Sequence, residues 1–225
     1  MNATAQTRTA DIAEAPFLDI PPDKLHDYDR KSTIYGVEEA GLNVYYIISG
    51  LVAVYRLHSD GKEGITDVVG PGGALGADAV ISGKRNPFEM AIAIEPTRTQ
   101  IWSAETVTTA LKHGHISNRL LEILAQKNQR QDDRIERLLL LDAEQRLAQT
   151  LISFGKNFGK VLQNGDVELP RFSQDVLSDI VGATRSRISH FMAEFKRKGF
   201  ISCRHECVVI LQGNRLEEWL GEPLS

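Results

Sequence analysis

The residues best equipped for chemistry lie in one string, Thr184-Arg185-Ser186-Arg187-Ile188-Ser189-His190-Phe191-Met192-Ala193-Glu194-Phe195-Lys196-Arg197-Lys198-Gly199-Phe200-Ile201. At 100° per residue, Ile188, Phe191, Met192 and Phe195 fall on a single apolar stripe. Ser186, Ser189, His190, Ala193 and Arg197 face the other way, with Arg185 and Arg187 on the shoulders. Hydroxyl, imidazole and guanidinium groups gathered on one face can hydrogen-bond to and neutralise a polyanion. Thr184 is placed to cap the start of this helix and Gly199 to cap its end.

Charge distribution agrees with that chemistry. The chain holds 26 basic and 30 acidic residues, a net charge of −4. Residues 185–204 carry six basic side chains against Glu194 alone, a local charge of +5. The remainder therefore carries −9, from 20 basic and 29 acidic residues. An acidic body with one basic helix repels nucleic acid everywhere except at the intended contact.

A helix of this kind must be held by others. Ser173-Gln174-Asp175-Val176-Leu177-Ser178-Asp179-Ile180-Val181-Gly182 reads as a shorter capped amphipathic helix. Two such helices around a glycine-containing turn predict a helix-turn-helix. After Gly199, strands at 200–203 and 208–211 flank a turn at Arg204-His205-Glu206, which makes a wing. Upstream lie a small hairpin between Gly159 and Pro170 and a helix from Asp142 to Phe158; Asn214 to Leu220 closes the chain as a short helix.

From Leu25 to Trp102 the texture is short strands between turn residues. Val44-Tyr45-Tyr46-Ile47-Ile48 and Leu51-Val52-Ala53-Val54-Tyr55-Arg56-Leu57 surround Ser49-Gly50, and Ser59-Asp60-Gly61-Lys62 marks a hairpin turn. Strands follow at 65–69, 90–94 and 99–102, which predicts an antiparallel sandwich or barrel. A short helix is expected over Ala104–Lys112 and a long one from Ile116 to Leu141. On the long helix Leu121, Leu124, Asn128, Gln131, Ile135 and Leu138 repeat at 3–4 spacing, a seam with a polar middle suited to a symmetric partner. Packing along the chain's own barrel is the alternative for that helix.

Composition sets the bounds. The 225 residues, 42% hydrophobic and 25% charged, are ordinary for a globular protein of one large or two small domains. No run of about 18 apolar residues predicts a membrane span. Residues 1–16 lack the apolar core of a secretory signal and are expected to form a flexible arm. Two cysteines, Cys203 and Cys207, make no disulfide framework and fit a reducing cytoplasm.

In this order, the parts resemble the Crp/Fnr superfamily of bacterial transcription regulators from residue 28 to the C-terminus. Tyr45 to Arg56 with Asp60-Gly61 is similar to the first hairpin of a cyclic-nucleotide-binding-type β-roll. Leu141-Asp142-Ala143-Glu144-Gln145-Arg146-Leu147-Ala148-Gln149-Thr150-Leu151 is similar to the hinge after the dimerisation helix, and Phe172 to Ile201 to the winged helix. The fold class this implies is α+β: an N-terminal antiparallel β-roll, jelly-roll-like, over 17–114; a dimerisation helix over 115–141; and a winged helix-turn-helix over 142–225. The partners it implies are double-stranded DNA, a second copy of the chain and, for an activator, RNA polymerase, with no membrane.

By the same resemblance, base-reading positions fall on Arg185, Ser186, Ser189 and His190, with Thr184 and Arg187 beside them. An arginine there would bond bidentately to guanine O6 and N7, worth about 1–3 kcal/mol of discrimination. The best-known members carry glutamate and a second arginine where this chain has Ser186 and His190, so the familiar half-site is not expected. Ser173, Lys196 and Arg197 are expected on phosphates, fixing register; Ser173 also suits simple N-capping.

The expected effector pocket departs from the pattern. Cyclic-nucleotide-binding members carry a Gly-Glu-Leu turn and, further on, an Arg-Ser/Thr-Ala element that holds the cyclic phosphate. The matching turn is taken as Gly76-Ala77-Asp78, and Pro87-Phe88-Glu89 stands in place of the second element. A proline has no phosphate ligand, and the Glu89 carboxylate is expected to repel one. Lys84 and Arg85 are the alternative phosphate site; Phe88, Gln131 and Asp132 complete the candidate lining. The expected effector is therefore something other than cyclic AMP held in the usual way, or none, with no resident cofactor or metal. An iron–sulfur cluster of the Fnr type needs four cysteines. Cys203, His205 and Cys207 crowd the wing tip, where they could form a redox pair or a weak metal site; an ordinary wing is the favoured reading.

Three function classes remain: a homodimeric DNA-binding regulator, a nucleotide-responsive variant using Lys84 and Arg85, and an adaptor whose winged helix binds protein. An enzyme is not expected, since no phosphate loop, metal-spaced cluster or activated nucleophile is present.

Overall fold

The computed structural model describes residues 17–37, 42–84, 86–114, 116–204 and 208–221, with backbone alone for 208–210. The expected arm at 1–16, Arg85, His205 and Cys207 lie outside the described residues. The chain divides into two compact units, one of residues 1–56 and 68–130, the other of residues 57–67 and 131–225.

The first unit takes its form from strand alternation. Strands β1 (Lys24–Tyr28), β2 (Thr33–Tyr35), β3 (Asn43–Ser49), β4 (Val52–Leu57), β5 (Glu63–Val69, of which residues 63–67 fall in the second unit) and β6 (Ala74–Leu75) precede helix α1 (Ala77–Ser82). Strands β7 (Glu89–Ala93) and β8 (Thr97–Ser103) lead into helix α2 (Ala104–Lys112) and the long helix α3 (Ser117–Leu140), which runs through the division between the units. Two four-stranded sheets result, ordered β1-β8-β3-β6 and β2-β7-β4-β5. Along β3 successive side chains enter different cores. Tyr45 and Ile47 join Tyr35, Val52, Val54 and Ala91, while Val44 joins Trp102, Val107, Leu120 and Ile123. This period of two is why the segment reads as a strand buried on both faces. Helix α2 spans the residues expected for it, with the Ser103 side chain accepting from the Thr106 N–H at its start.

The second unit is helical with a small sheet. Helix α4 (Ala143–Phe158) begins in a capping box, Asp142 accepting from the Gln145 N–H and Gln145 from the Asp142 N–H. It buries Leu147, Leu151 and Phe154, and the Phe154 ring stacks on Phe172 at 4.4 Å. Strands β9 (Lys160–Val161) and β10 (Val167–Glu168), helices α5 (Gln174–Val181) and α6 (Arg185–Arg197), the wing strands β11 (Ile201–Arg204) and β12 (Val208–Leu211) and helix α7 (Arg215–Gly221) complete it. The four strands form one sheet, ordered β11-β12-β10-β9. The wing register pairs Cys203 with Val209. Cys203 is exposed, and the rest of the wing tip, including His205 and Cys207, lies outside the described residues.

Candidate nucleic-acid interface

Helix α6 is fixed at both ends and along one side. Thr184 Oγ1 accepts from the Arg187 N–H at 3.3 Å, and Ser173 does the same for Val176 at the start of α5. Between the helices Gly182 adopts φ 67°, a left-handed turn that glycine enters without a steric penalty. At the far end Lys198 is the capping residue and Gly199 follows it. The Gly199 N–H bonds to the Lys196 carbonyl and the Phe200 N–H to the Phe195 carbonyl, with the Phe195 and Phe200 rings 6.2 Å apart. This is a Schellman closure with its apolar contact. Ile188 and Phe195 are fully buried and Phe191 and Met192 half-buried, so the stripe seats the helix on its own domain. Lys198 reaches Glu144 at 3.7 Å and lies over the Trp219 ring at 5.2 Å, tying the end of α6 to α4 and α7.

The opposite face stays in water. Thr184, Arg185, Ser186, Arg187, His190, Lys196 and Arg197 are exposed, and Ser189 is half-exposed. Arg187 lies over the Phe191 ring at 5.5 Å. Arg197 pairs with Glu194 at 2.6 Å; that hydrogen bond holds the Glu194 carboxyl below its ordinary range. Two contacts were not expected from sequence. Arg185 Nη1 lies 3.4 Å from Asp175 Oδ1, and the Ser189 hydroxyl donates to Gln174 Oε1 at 2.6 Å. The only advance signal was that polar side chains occupy the first turns of both helices.

In the first unit several residues expected at the effector site are engaged by neighbours. Gly76-Ala77-Asp78 forms the start of α1, with Gly76 at φ 79° as its capping residue and Ala77 buried. A Cβ at Gly76 would collide with the Asn43 carbonyl oxygen, which fixes this position as glycine. Asp78 is tied to Lys127 of α3 at 2.7 Å. A Gly-x-Leu string, Gly73-Ala74-Leu75, stands just before the helix with a buried alanine at its centre. Glu89, expected to repel a phosphate, opens β7 opposite Arg56. Its carboxylate accepts from Tyr35 at 2.9 Å and Arg56 at 3.1 Å. Lys84 is exposed, its backbone bonded to the Ser82 hydroxyl; Phe88 is exposed as well. Gln131 and Asp132 are exposed on α3.

Of the seam positions, Leu121, Asn128, Gln131, Ile135 and Leu138 are exposed and Leu124 is half-buried, while Leu120 and Ile123 are buried in the first unit's core. Among the described residues no helix is long and apolar enough to cross a membrane.

A winged helix-turn-helix with an exposed basic second helix, behind an antiparallel β-roll, defines a DNA-binding regulator, and comparison with known proteins agrees. Residues 25–113 match the cyclic nucleotide-binding domain family and residues 145–219 the Crp-like helix-turn-helix domain family. A CRP-like cAMP-activated global transcriptional regulator of Mycobacterium tuberculosis is 26% identical over 198 residues, covering 84% of this chain and 85% of that one. A global nitrogen regulator of Synechocystis is 23% identical over 194 residues, covering 85% and 86%. The structure of FixK2 from Bradyrhizobium japonicum superposes with a TM-score of 0.75 at 22% identity, over 90% of this chain and 98% of that one. The chain belongs to the Crp/Fnr family and is a DNA-binding transcription regulator, not an enzyme.

Proposed function

We propose that the chain acts as a homodimer in the cytoplasm, each α6 entering a major groove of a near-palindromic site with half-sites one turn apart, roughly 34 Å. The observation that carries this reading is the single exposed face of α6, where Arg185, Ser186, Arg187 and His190 stand in water above a stripe anchored by Ile188 and Phe195. The seam of α3 supports the dimer. Leu121, Ile135 and Leu138 are 63%, 54% and 48% exposed, an apolar line suited to its own copy. Where the regulator activates, RNA polymerase is the further partner.

The effector is something other than cyclic AMP bound in the usual way, or none. Three features support this: Ala74 in the centre of the Gly-x-Leu string, Asp78 bound to Lys127, and Glu89 bound to Arg56 and Tyr35. The test is a gel shift and footprint of the full chain on a palindromic duplex, with light scattering for the dimer. Arg185→Ala should abolish specific binding and leave the dimer intact. A mutant that protects the same site refutes the assignment of α6. Cyclic AMP should leave the affinity unchanged; a strong dependence would sink the reading of the sensor site.

A further inference from the structure

The base-facing residues of α6 are not free agents. Gln174 and Asp175, the first two residues of α5, reach them across the turn. Asp175 sits beside the Arg185 guanidinium, and Gln174 accepts the hydroxyl proton of Ser189 at 2.6 Å. A carboxylate at this edge is poorly placed for docking on a polyanion, because Ser173, its near neighbour, is expected on a phosphate. Its compensation is geometric. An unrestrained arginine loses much rotamer freedom when it docks, whereas one held by a carboxylate presents its remaining donors in one orientation. Five N–H donors leave room for both the carboxylate and a base edge. The Ser189 hydroxyl is directed likewise: with its proton on Gln174, its oxygen faces outward as an acceptor.

We propose that Gln174 and Asp175 are specificity-determining positioning residues: Asp175 orients Arg185, Gln174 orients Ser189, and the first helix thereby sets what the second one reads. This rests on the assignment of α6 as the reading helix. The two predicted signatures have opposite signs. Removing Asp175 takes a negative charge from the DNA-facing edge, so binding to any duplex should tighten while discrimination falls. A purely structural role would weaken both together.

The experiment selects full-length wild type, Asp175→Ala, Asp175→Asn, Gln174→Ala and Arg185→Ala against a duplex library randomised across one half-site. Fluorescence anisotropy on the best and on a scrambled duplex follows at low and moderate salt, with circular dichroism melts to confirm folding. For Asp175→Ala the preference at the base read by Arg185 should fall about tenfold, and affinity for the scrambled duplex should rise about threefold at low salt. Asp175→Asn should show the same two changes, and Gln174→Ala a loss of about threefold at the base nearest Ser189. Unchanged base preferences, whatever happens to affinity, overturn the proposal and leave the two contacts as surface pairs. Arg185→Ala with wild-type preferences overturns the assignment of α6 as well.

Discussion

The reading surface of the second unit and the sensor site of the first both use ion pairs, but of different kinds. Arg185 and Asp175 are 67% and 66% exposed, whereas Lys127 and Asp78 are 23% and 46% exposed and Glu89 and Arg56 are 13% and 45% exposed. Exposed pairs contribute about 0–1 kcal/mol to stability, so Asp175 can orient Arg185 without holding its remaining donors back from a phosphate or base edge. Pairs drawn partly out of water are harder to break, because the charge left behind has lost hydration. The DNA-facing end keeps its charges exchangeable. The first unit commits them internally, Asp78 to Lys127 and Glu89 to Arg56 and Tyr35.

The largest effect expected of any single change lies under the reading surface. Phe195 is fully buried, and its ring meets Phe200 and Trp219 at 6.2 and 5.6 Å. Phe195→Ala should cost about 3–5 kcal/mol in a thermal or urea melt and take DNA binding with it. Arg185→Ala, by contrast, should shift stability by less than about 0.5 kcal/mol while removing specific binding. Equal loss of stability in the two variants would break the contrast between exchangeable charges and the packed stripe beneath them.

A middle-sized effect belongs to the sensor site. Lys127→Met keeps the length of the side chain but leaves Asp78 without its ammonium partner. The expected loss is about 1–2 kcal/mol, since a hydrogen bond to a charged group disappears at a half-buried position. A melt unchanged within error would mean that this pair is as exchangeable as those on α6.

What was legible in the sequence follows the range of each interaction. The apolar stripe of α6, its Thr184 cap and the Gly182 turn are encoded within a few residues, so periodicity and capping found them. Partners distant in sequence escaped. Lys127 meets Asp78 across 49 positions and Arg56 meets Glu89 across 33, each depending on strand register or on where α3 lies. Even fifteen positions hid Gln174 from Ser189, because the turn between α5 and α6 sets their approach. The place of Gly76-Ala77-Asp78 at the start of α1 escaped for the same reason. Its glycine is required by the Asn43 carbonyl of β3, which no local pattern records.

The smallest expected effect tests the acidic side of the second unit. Burial, then the Glu63 and Asp175 carboxylates, push the Asp179 carboxyl above its ordinary 3.8. A raised carboxyl favours the fold below the unfolded value and loses that contribution as pH rises through the folded value. At neutral pH the ionised Asp179 therefore opposes folding. Asp179→Asn should be slightly more stable than wild type at pH 7, the difference being reduced by solvent screening. The gain should vanish in melts below the ordinary carboxylate pKa, about 3.9, where wild-type Asp179 is protonated. Destabilisation at both pH values would mean that the carboxylate makes a contact the fold needs. The acids beside α5 would then be committed like the charges of the sensor site, and the contrast between the two regions would be narrower than the exposures imply.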